Sequence, residues 1–222
     1  MGQKKNAEKF IAYFQAYTST YADVNVLEQR YQTALNTPDV IGLSVGTRPD
    51  CVPDAVLRLL AEYQQQGHEV WLELGLQSAN DDVLRQVNRG HDVACYKDAI
   101  RRTKAYDLQV CTHLIVGLPG ESLEASIDAA SMVTDLGTDG LKIHPLHVVK
   151  GTQMARQIKQ GTIPDLSQSQ YVDIVTRIIR QAPSEQTFHR LTGTANKDLL
   201  LAPDWCVRKW SVLNAIYDEL AA

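Results

Sequence analysis

The chain has 222 residues, 44% of them hydrophobic and 22% charged, and a formal charge of −4. That length buries a substantial core as one large domain, with a composition ordinary for a globular protein. The acidic balance excludes an overall basic footprint, so any nucleic-acid binding needs a local patch.

Apolar strand-like runs recur at residues 10–17, 40–45, 69–75, 109–116 and 140–146. A helical pattern fills every gap, the alternation that βαβ units on a parallel sheet require. The first helix covers 24–35, entered through Asp23 or Asn25, and the second carries Pro53 in its first turn and ends before Gly67. Asn80, Asp81 and Asp82 supply an N-cap and first-turn acids for a helix over 81–87, and Asp92 caps another over 93–106. A fifth helix starts at Ser122 and stops at Gly137. Beyond Gly151 the sequence predicts a helix over 167–181, a last short strand over 187–192, and a terminal helix capped by Asp204. Cys206, Trp210, Leu213, Tyr217 and Leu220 keep helical spacing there, a stripe expected to pack on the rest of the fold. No linker interrupts the series. The expectation is one domain over 1–222, with core βα units to about residue 150 and a C-terminal extension from about 151.

Four cysteines, at 51, 95, 111 and 206, form no CxxC pair, which excludes a zinc ribbon and a thioredoxin-type couple. Scattered thiols suit a reducing compartment. No apolar run approaches a membrane span, and Met1-Gly-Gln-Lys-Lys leads into no signal-peptide core. The chain therefore reads as cytoplasmic, with no membrane contact.

Each predicted strand has a polar minority face. It carries Tyr13, Gln15 and Tyr17 on the first, Ser44 and Gly46 on the second, and Glu73 and Gln77 on the third. Cys111 and His113 follow on the fourth, Lys142 and His144 on the fifth. A parallel sheet is covered on both faces, and an unpaired buried polar group costs about 1–3 kcal/mol. Repetition over five strands predicts a polar interior built around a polar ligand, or else side chains that satisfy one another. His144 and His147, on opposite faces of a continuing strand, are not expected to form a metal pair. His189 and Arg190 fit either a substrate-side pair or an exposed loop.

Three stretches, Glu73-Leu-Gly-Leu-Gln77-Ser, Val87-Asn-Arg89-Gly-His91 and His113-Leu-Ile-Val-Gly117-Leu-Pro-Gly120-Glu121, together resemble the radical S-adenosylmethionine (SAM) superfamily. The resemblance is closest to the branch holding oxygen-independent coproporphyrinogen III oxidase and the elongator catalytic subunit, and within it to the bacterial YhcC family. Thr47-Arg-Pro-Asp50 is similar to the elongator members. The resemblance implies an α/β fold, a partial (β/α)6 TIM-like barrel of parallel strands with a C-terminal helical cover, holding SAM across the C-terminal strand edges. It implies that Gln77 meets the ribose hydroxyls, since a carboxamide both donates and accepts. Arg89 would grip the methionine carboxylate through two parallel hydrogen bonds. His113 stands where relatives carry an aspartate on the ribose. Glu73 would orient Gln77 or Arg89, and Gly117 and Gly120 would let backbone approach the adenine. Gln15 and Thr18, in place of the family's GGE motif, would meet the SAM amino group. Ser44 and His144 complete the implied set.

The family's CxxxCxxC loop, which binds a [4Fe-4S] cluster, has no counterpart among the four cysteines. The chain also opens with what resembles the family's second strand. The expectation is a fragment lacking the first βα unit and the cluster loop, iron-free and silent alone. In the intact protein, reductive SAM cleavage by a reductant such as flavodoxin or ferredoxin would release a 5′-deoxyadenosyl radical that abstracts hydrogen from the substrate. The substrate is a small molecule or a tRNA base, the latter suggested by Thr47–Asp50. The competing readings are a cluster-less nucleoside- or RNA-binding module, and a barrel hydrolase or aldolase using Lys142, for which no nucleophile–base pair is evident.

Overall fold

A computed structural model describes residues 7–163 and 165–222. The Met1-Gly-Gln-Lys-Lys stretch read above lies outside the described residues. Six strands form one all-parallel sheet: β1 (Phe10–Phe14), β2 (Val40–Thr47), β3 (Glu69–Gln77), β4 (Gln109–Val116), β5 (Gly140–Pro145) and β7 (Thr187–Arg190), adjacent in that order. Helical crossovers connect them: α1 (Val24–Leu35), α2 (Asp54–Gln65), the pair α3 (Asp81–Gln86) and α4 (Val93–Lys104), and α5 (Leu123–Asp135). Between β5 and β7 lie β6 (Val148–Val149), α6 (Gln153–Lys159) and α7 (Gln168–Gln181). The chain ends with β8 (Leu200–Ala202), which pairs antiparallel with β6, and α8 (Lys209–Ala221).

Helix entry follows local side-chain chemistry. Asp23, Asn80, Asp92, Ser122 and Thr152 each accept a first-turn backbone N–H, and Ser167 with Gln170 closes a capping box on α7. The helix-facing side of the sheet is apolar at its centre apart from Thr112, whose hydroxyl is paired with Tyr96 Oη on α4. Leu43, Val45, Val70, Leu72, Leu74, Leu76, Val110, Leu114, Val116, Leu141 and Ile143 are each at most 2% exposed. These and the helices form one continuous core that reaches α7 and α8.

The opposite face is concave. In a flat sheet β1 and β5 would lie four strand steps, about 19 Å, apart. Yet Lys142 Nζ on β5 sits 4.2 Å from the ring centroid of Tyr13 on β1. The sheet therefore curls into a half-barrel whose inner face gathers the polar residues.

Two expectations are corrected here. β1 stops at Phe14, because Tyr17 turns into the left-handed region at φ 61°, so Gln15 and Tyr17 leave the strand and face outward. The stripe on the last helix is misplaced. A short 3-10 turn over Asp204–Val207 precedes α8, and the buried pair is Val212 and Ile216, while Trp210 and Tyr217 are exposed. The β6–β8 pair and α6 are too short to carry a period and were not anticipated. Among the described residues no helix is long and apolar enough to cross a membrane.

Candidate functional site

The C-terminal end of β3 positions the first half of the site. Gln77 closes the strand at φ 77°, and Ser78 then accepts from Asn80 N–H while donating to the Glu121 carboxylate. This bond ties the Gln77-Ser stretch to the Gly117–Glu121 turn, 43 positions on. α3 is one and a half turns long. It ends at Asn88 in the left-handed region (φ 56°), with Arg89 N–H returning to Leu84 O at 2.9 Å. Asparagine tolerates that conformation better than most side chains. The sharp stop brings Arg89 back to β3, where Nη2 donates to Gly75 O at 2.9 Å.

Gly75 is the floor on which two side chains converge. A Cβ there would lie 2.7 Å from Gln77 Nε2 and 3.0 Å from Arg89 Nη2. Gln77 and Arg89 are thus brought together over one bare backbone position. Arg48 lies over Gly90 and is pinned by Asp50 (Nε–Oδ1, 2.9 Å), so the Thr47–Asp50 loop walls this end. Thr47 in turn holds Thr20 at 2.5 Å, anchoring the loop that carries Thr18 beside the ends of β1 and β2. Burial and the neighbouring Arg48 both lower the Arg89 pKa, against a weaker opposite pull from Asp50. Its Nε is buried without a hydrogen-bond partner, and among the described residues it forms no ion pair.

The second half of the site is centred on Glu73, 1% exposed at mid-sheet. Lys142 Nζ donates to both carboxylate oxygens at 2.5 and 2.6 Å, Tyr13 Oη at 2.9 Å, and His113 Nε2 at 2.7 Å; Ser44 Oγ completes the shell. Because a carboxylate only accepts, His113 carries a hydrogen on Nε2. Burial alone would raise the Glu73 pKa, but the hydrogen bonds from His113, Lys142 and Ser44 outweigh it and hold the acid well below the usual carboxylate range. Burial, then the Glu73 charge, pushes the Tyr13 phenol and the Cys111 thiol well above their ordinary values.

Ser44 and His113 join Glu73. Glu73 itself orients neither Gln77 nor Arg89, contrary to expectation: its oxygens are taken by its own inner-face neighbours. The position beside Gly117 is filled, since a Cβ would meet Leu166 Cδ2 at 3.1 Å, so this glycine serves close packing and its φ of 91°. His144 stands on the inner face with its ring 6.1 Å from that of His113. His144 and His147 do not diverge, because the chain leaves β5 at Pro145. A Cβ on Gly193 would touch both, at 2.7 Å from His144 Nδ1 and 3.2 Å from His147 Cε1. Among the described residues no three metal-ligating side chains gather, and the four cysteines are free thiols.

His189 and Arg190 are strand residues, not loop. β7 pairs with β5 through Gly140–Thr187, Leu141–Phe188 and Lys142–Arg190, an irregularity that skips His189. His189 folds over Gly140 onto Trp71, ring centroids 4.3 Å apart, and Arg190 comes level with Lys142. The sequence holds no signal for that skip.

His144 supplies a pH test. Burial, then the charges of His113, Arg190, His147 and Lys142, drives its pKa down to about 3. An unfolded histidine titrates near 6.5, so between these values the unfolded chain binds a proton that the folded chain refuses. Stability therefore rises with pH through that window and is lost as pH falls from about 6.5. His144→Gln is expected to remove about 1.4 kcal/mol per pH unit from the stability slope between pH 6 and 5. Urea midpoints at stepped pH measure it; an unaltered slope would mean that His144 is not held neutral.

Comparison with known proteins agrees with the architecture. The Radical SAM superfamily model matches residues 2–133, and the Radical_SAM C-terminal domain model matches 138–222. Protein YhcC of Escherichia coli K12 is 49% identical over 205 residues, covering 92% of this chain and 66% of its own length. The chain thus spans about two thirds of that relative. Among solved structures, archaeal Methanocaldococcus infernus Elp3 with an N-terminal deletion aligns at TM-score 0.77 and 20% identity, over 96% of this chain and 55% of its own. Coproporphyrinogen III oxidase (HemN) from Escherichia coli, described as a radical SAM enzyme, aligns at TM-score 0.54 and 22% identity, over 73% and 37%. A curled parallel sheet with its polar residues on the inner face, matched along most of its length by sequence and by shape, places this chain in the radical SAM superfamily.

Proposed function

We propose that this chain is the SAM-binding core of a radical SAM enzyme, with Arg89 and Gln77 as the principal holders of the cofactor. The observation that carries the reading is the Arg89 guanidinium: half-buried, hydrogen-bonded once to Gly75 O, with Nε buried and unpartnered. A buried cation without an anion is costly, and the group that best relieves it is a carboxylate taken through two parallel N–H donors. Gln77, converging on the same glycine, offers a donor and an acceptor to a vicinal diol. An amino-acid carboxylate on a nucleoside is the chemistry this pair fits.

Members of the family bind SAM and a [4Fe-4S] cluster. When bound together these supply the radical that takes hydrogen from a substrate. The residues of this chain fit the SAM part. They do not fit the cluster, because the four cysteines do not gather and no three metal ligands meet among the described residues. The part assigned to this chain is therefore binding and orientation. Arg89 and Gln77 fix the two ends of the cofactor on the inner side of the curled sheet.

Gly75→Ala tests this without unfolding the protein. The clashing atoms are the free ends of Gln77 and Arg89, which can swing aside, while the strand tolerates alanine. S-adenosylhomocysteine titrated calorimetrically is expected to bind the protein and to bind Gly75→Ala about ten- to a hundredfold more weakly, the loss of one or two hydrogen bonds. No binding, or equal affinity in the variant, contradicts the assignment.

A further inference from the structure

The inner face carries a second unpaired cation. Arg190 is half-buried on β7, level with Lys142, and among the described residues it has neither an ion-pair partner nor a hydrogen bond. Lys142 is neutralised by Glu73, so the two do not share an acid. Arg190 pairs in register with Lys142, an inner-face residue, so it lies on the inner side of the sheet. His144 and His113 stand beside that space, their rings 6.1 Å apart, and Glu73 fixes the His113 ring through Nε2. Glu73 has no capacity left for a further cation, since Lys142, His113, Tyr13 and Ser44 occupy both of its oxygens. The charge left facing the interior is positive.

We propose that Arg190, flanked by His144 and His113, is a substrate-anchoring subsite, and that the substrate of this enzyme carries a carboxylate or phosphate group which Arg190 takes. The proposal rests on the SAM assignment, because it reads the remaining interior as substrate space. The two arginines have different surroundings: Arg89 lies on Gly75 O at the end of β3 beside Arg48, and Arg190 lies on β7 level with Lys142. The carboxylate of one amino acid pairs with one of them. A guanidinium matches a carboxylate or phosphate through two parallel donors, while the neutral His144 imidazole adds a single directed N–H. The combination selects a small, localised anion. An extended nucleic-acid backbone would need a row of cations, and Arg190 stands alone on its strand.

The test follows the histidine ring signals of 15N-histidine-labelled protein by magnetic resonance, with S-adenosylhomocysteine present at saturation. Inorganic phosphate and succinate are titrated separately. Saturable shifts at His144 and His113 are expected with at least one of them, and the anion that produces them identifies the group recognised. Arg190→Gln keeps the size and some donors but loses the charge. It should raise the anion dissociation constant at least about tenfold while S-adenosylhomocysteine affinity stays within about twofold. No saturable shift with either anion, or equal anion affinity in Arg190→Gln, overturns the subsite. Should S-adenosylhomocysteine fail to bind while the anion response still depends on Arg190, the subsite stands and the SAM assignment falls. If S-adenosylhomocysteine binds and the anions do not, only the subsite falls.

Discussion

Glu73→Leu is expected to cost the fold about 3–5 kcal/mol, because it leaves the Lys142 ammonium buried with no anion. Both groups are almost inaccessible, Glu73 at 1% and the Lys142 side chain at 8%. Tyr13, Ser44 and His113 lose their acceptor in the same step, and Ser44, the buried donor among them, adds to the penalty. With total stability of about 5–15 kcal/mol for a domain, one substitution removes a third or more of it. A midpoint drop of roughly 10 °C follows for a chain of this size. The pair need not stabilise the protein on balance. Replacing both partners at once, Glu73→Leu with Lys142→Met, removes two charges from a low-dielectric site and should recover at least about 2 kcal/mol of the single-variant loss. Urea unfolding of the two single variants and the double variant yields the coupling directly. A single-variant cost below about 1 kcal/mol would show that the inner face is wet enough to screen the pair.

The Glu73 cluster was half legible in the sequence, and the reason is geometric. A strand has a period of two, so whether Tyr13, Ser44, Glu73, His113 and Lys142 share one face is a binary question that local alternation answers. Which of them touch is a different matter. Glu73 and Lys142 are 69 positions apart, and only the curl of the sheet brings Lys142 and Tyr13 together. Parity also fails as soon as the chain leaves the strand. Gln15 and Tyr17 lie past a left-handed turn, and His144 and His147 meet over Gly193 because β5 stops between them at Pro145. The skip at His189 defeats it inside a strand, putting His189 on Trp71 and Arg190 level with Lys142. At the C-terminus the apolar spacing was real but wrongly phased: the 3-10 turn before Lys209 rotates the helix, so that Val212 and Ile216 face inward and Trp210 outward. The convergence of Gln77 and Arg89 had a local signal, the Asn88-Arg89-Gly90 stop after a short helix. The unpartnered Nε that makes Arg89 informative has none.

Arg89→Lys is expected to weaken S-adenosylhomocysteine binding by about a hundredfold, ~2.7 kcal/mol, while leaving the free protein as stable as before. The two halves of that expectation have one cause. In the free protein the guanidinium is half-buried, repelled by Arg48 and paired with no carboxylate, so it contributes a single hydrogen bond to Gly75 O and little else. Lysine retains the charge but places one ammonium where a planar fork offered two parallel donors, and a carboxylate loses its second contact. A group held for its ligand at some expense to the fold behaves this way; a group held for the fold shows the reverse, a stability loss with little change in binding. The discriminating ligand is 5′-methylthioadenosine, which keeps the nucleoside and lacks the amino-acid carboxylate. Its affinity should be the same in the protein and in Arg89→Lys, and lower in Gly75→Ala, where Gln77 is also displaced. If Arg89→Lys weakened both ligands equally, Arg89 would be shaping the pocket as a whole. The carboxylate would then have to be met elsewhere, and Arg190, which like Arg89 has no ion-pair partner among the described residues, would be the place to look.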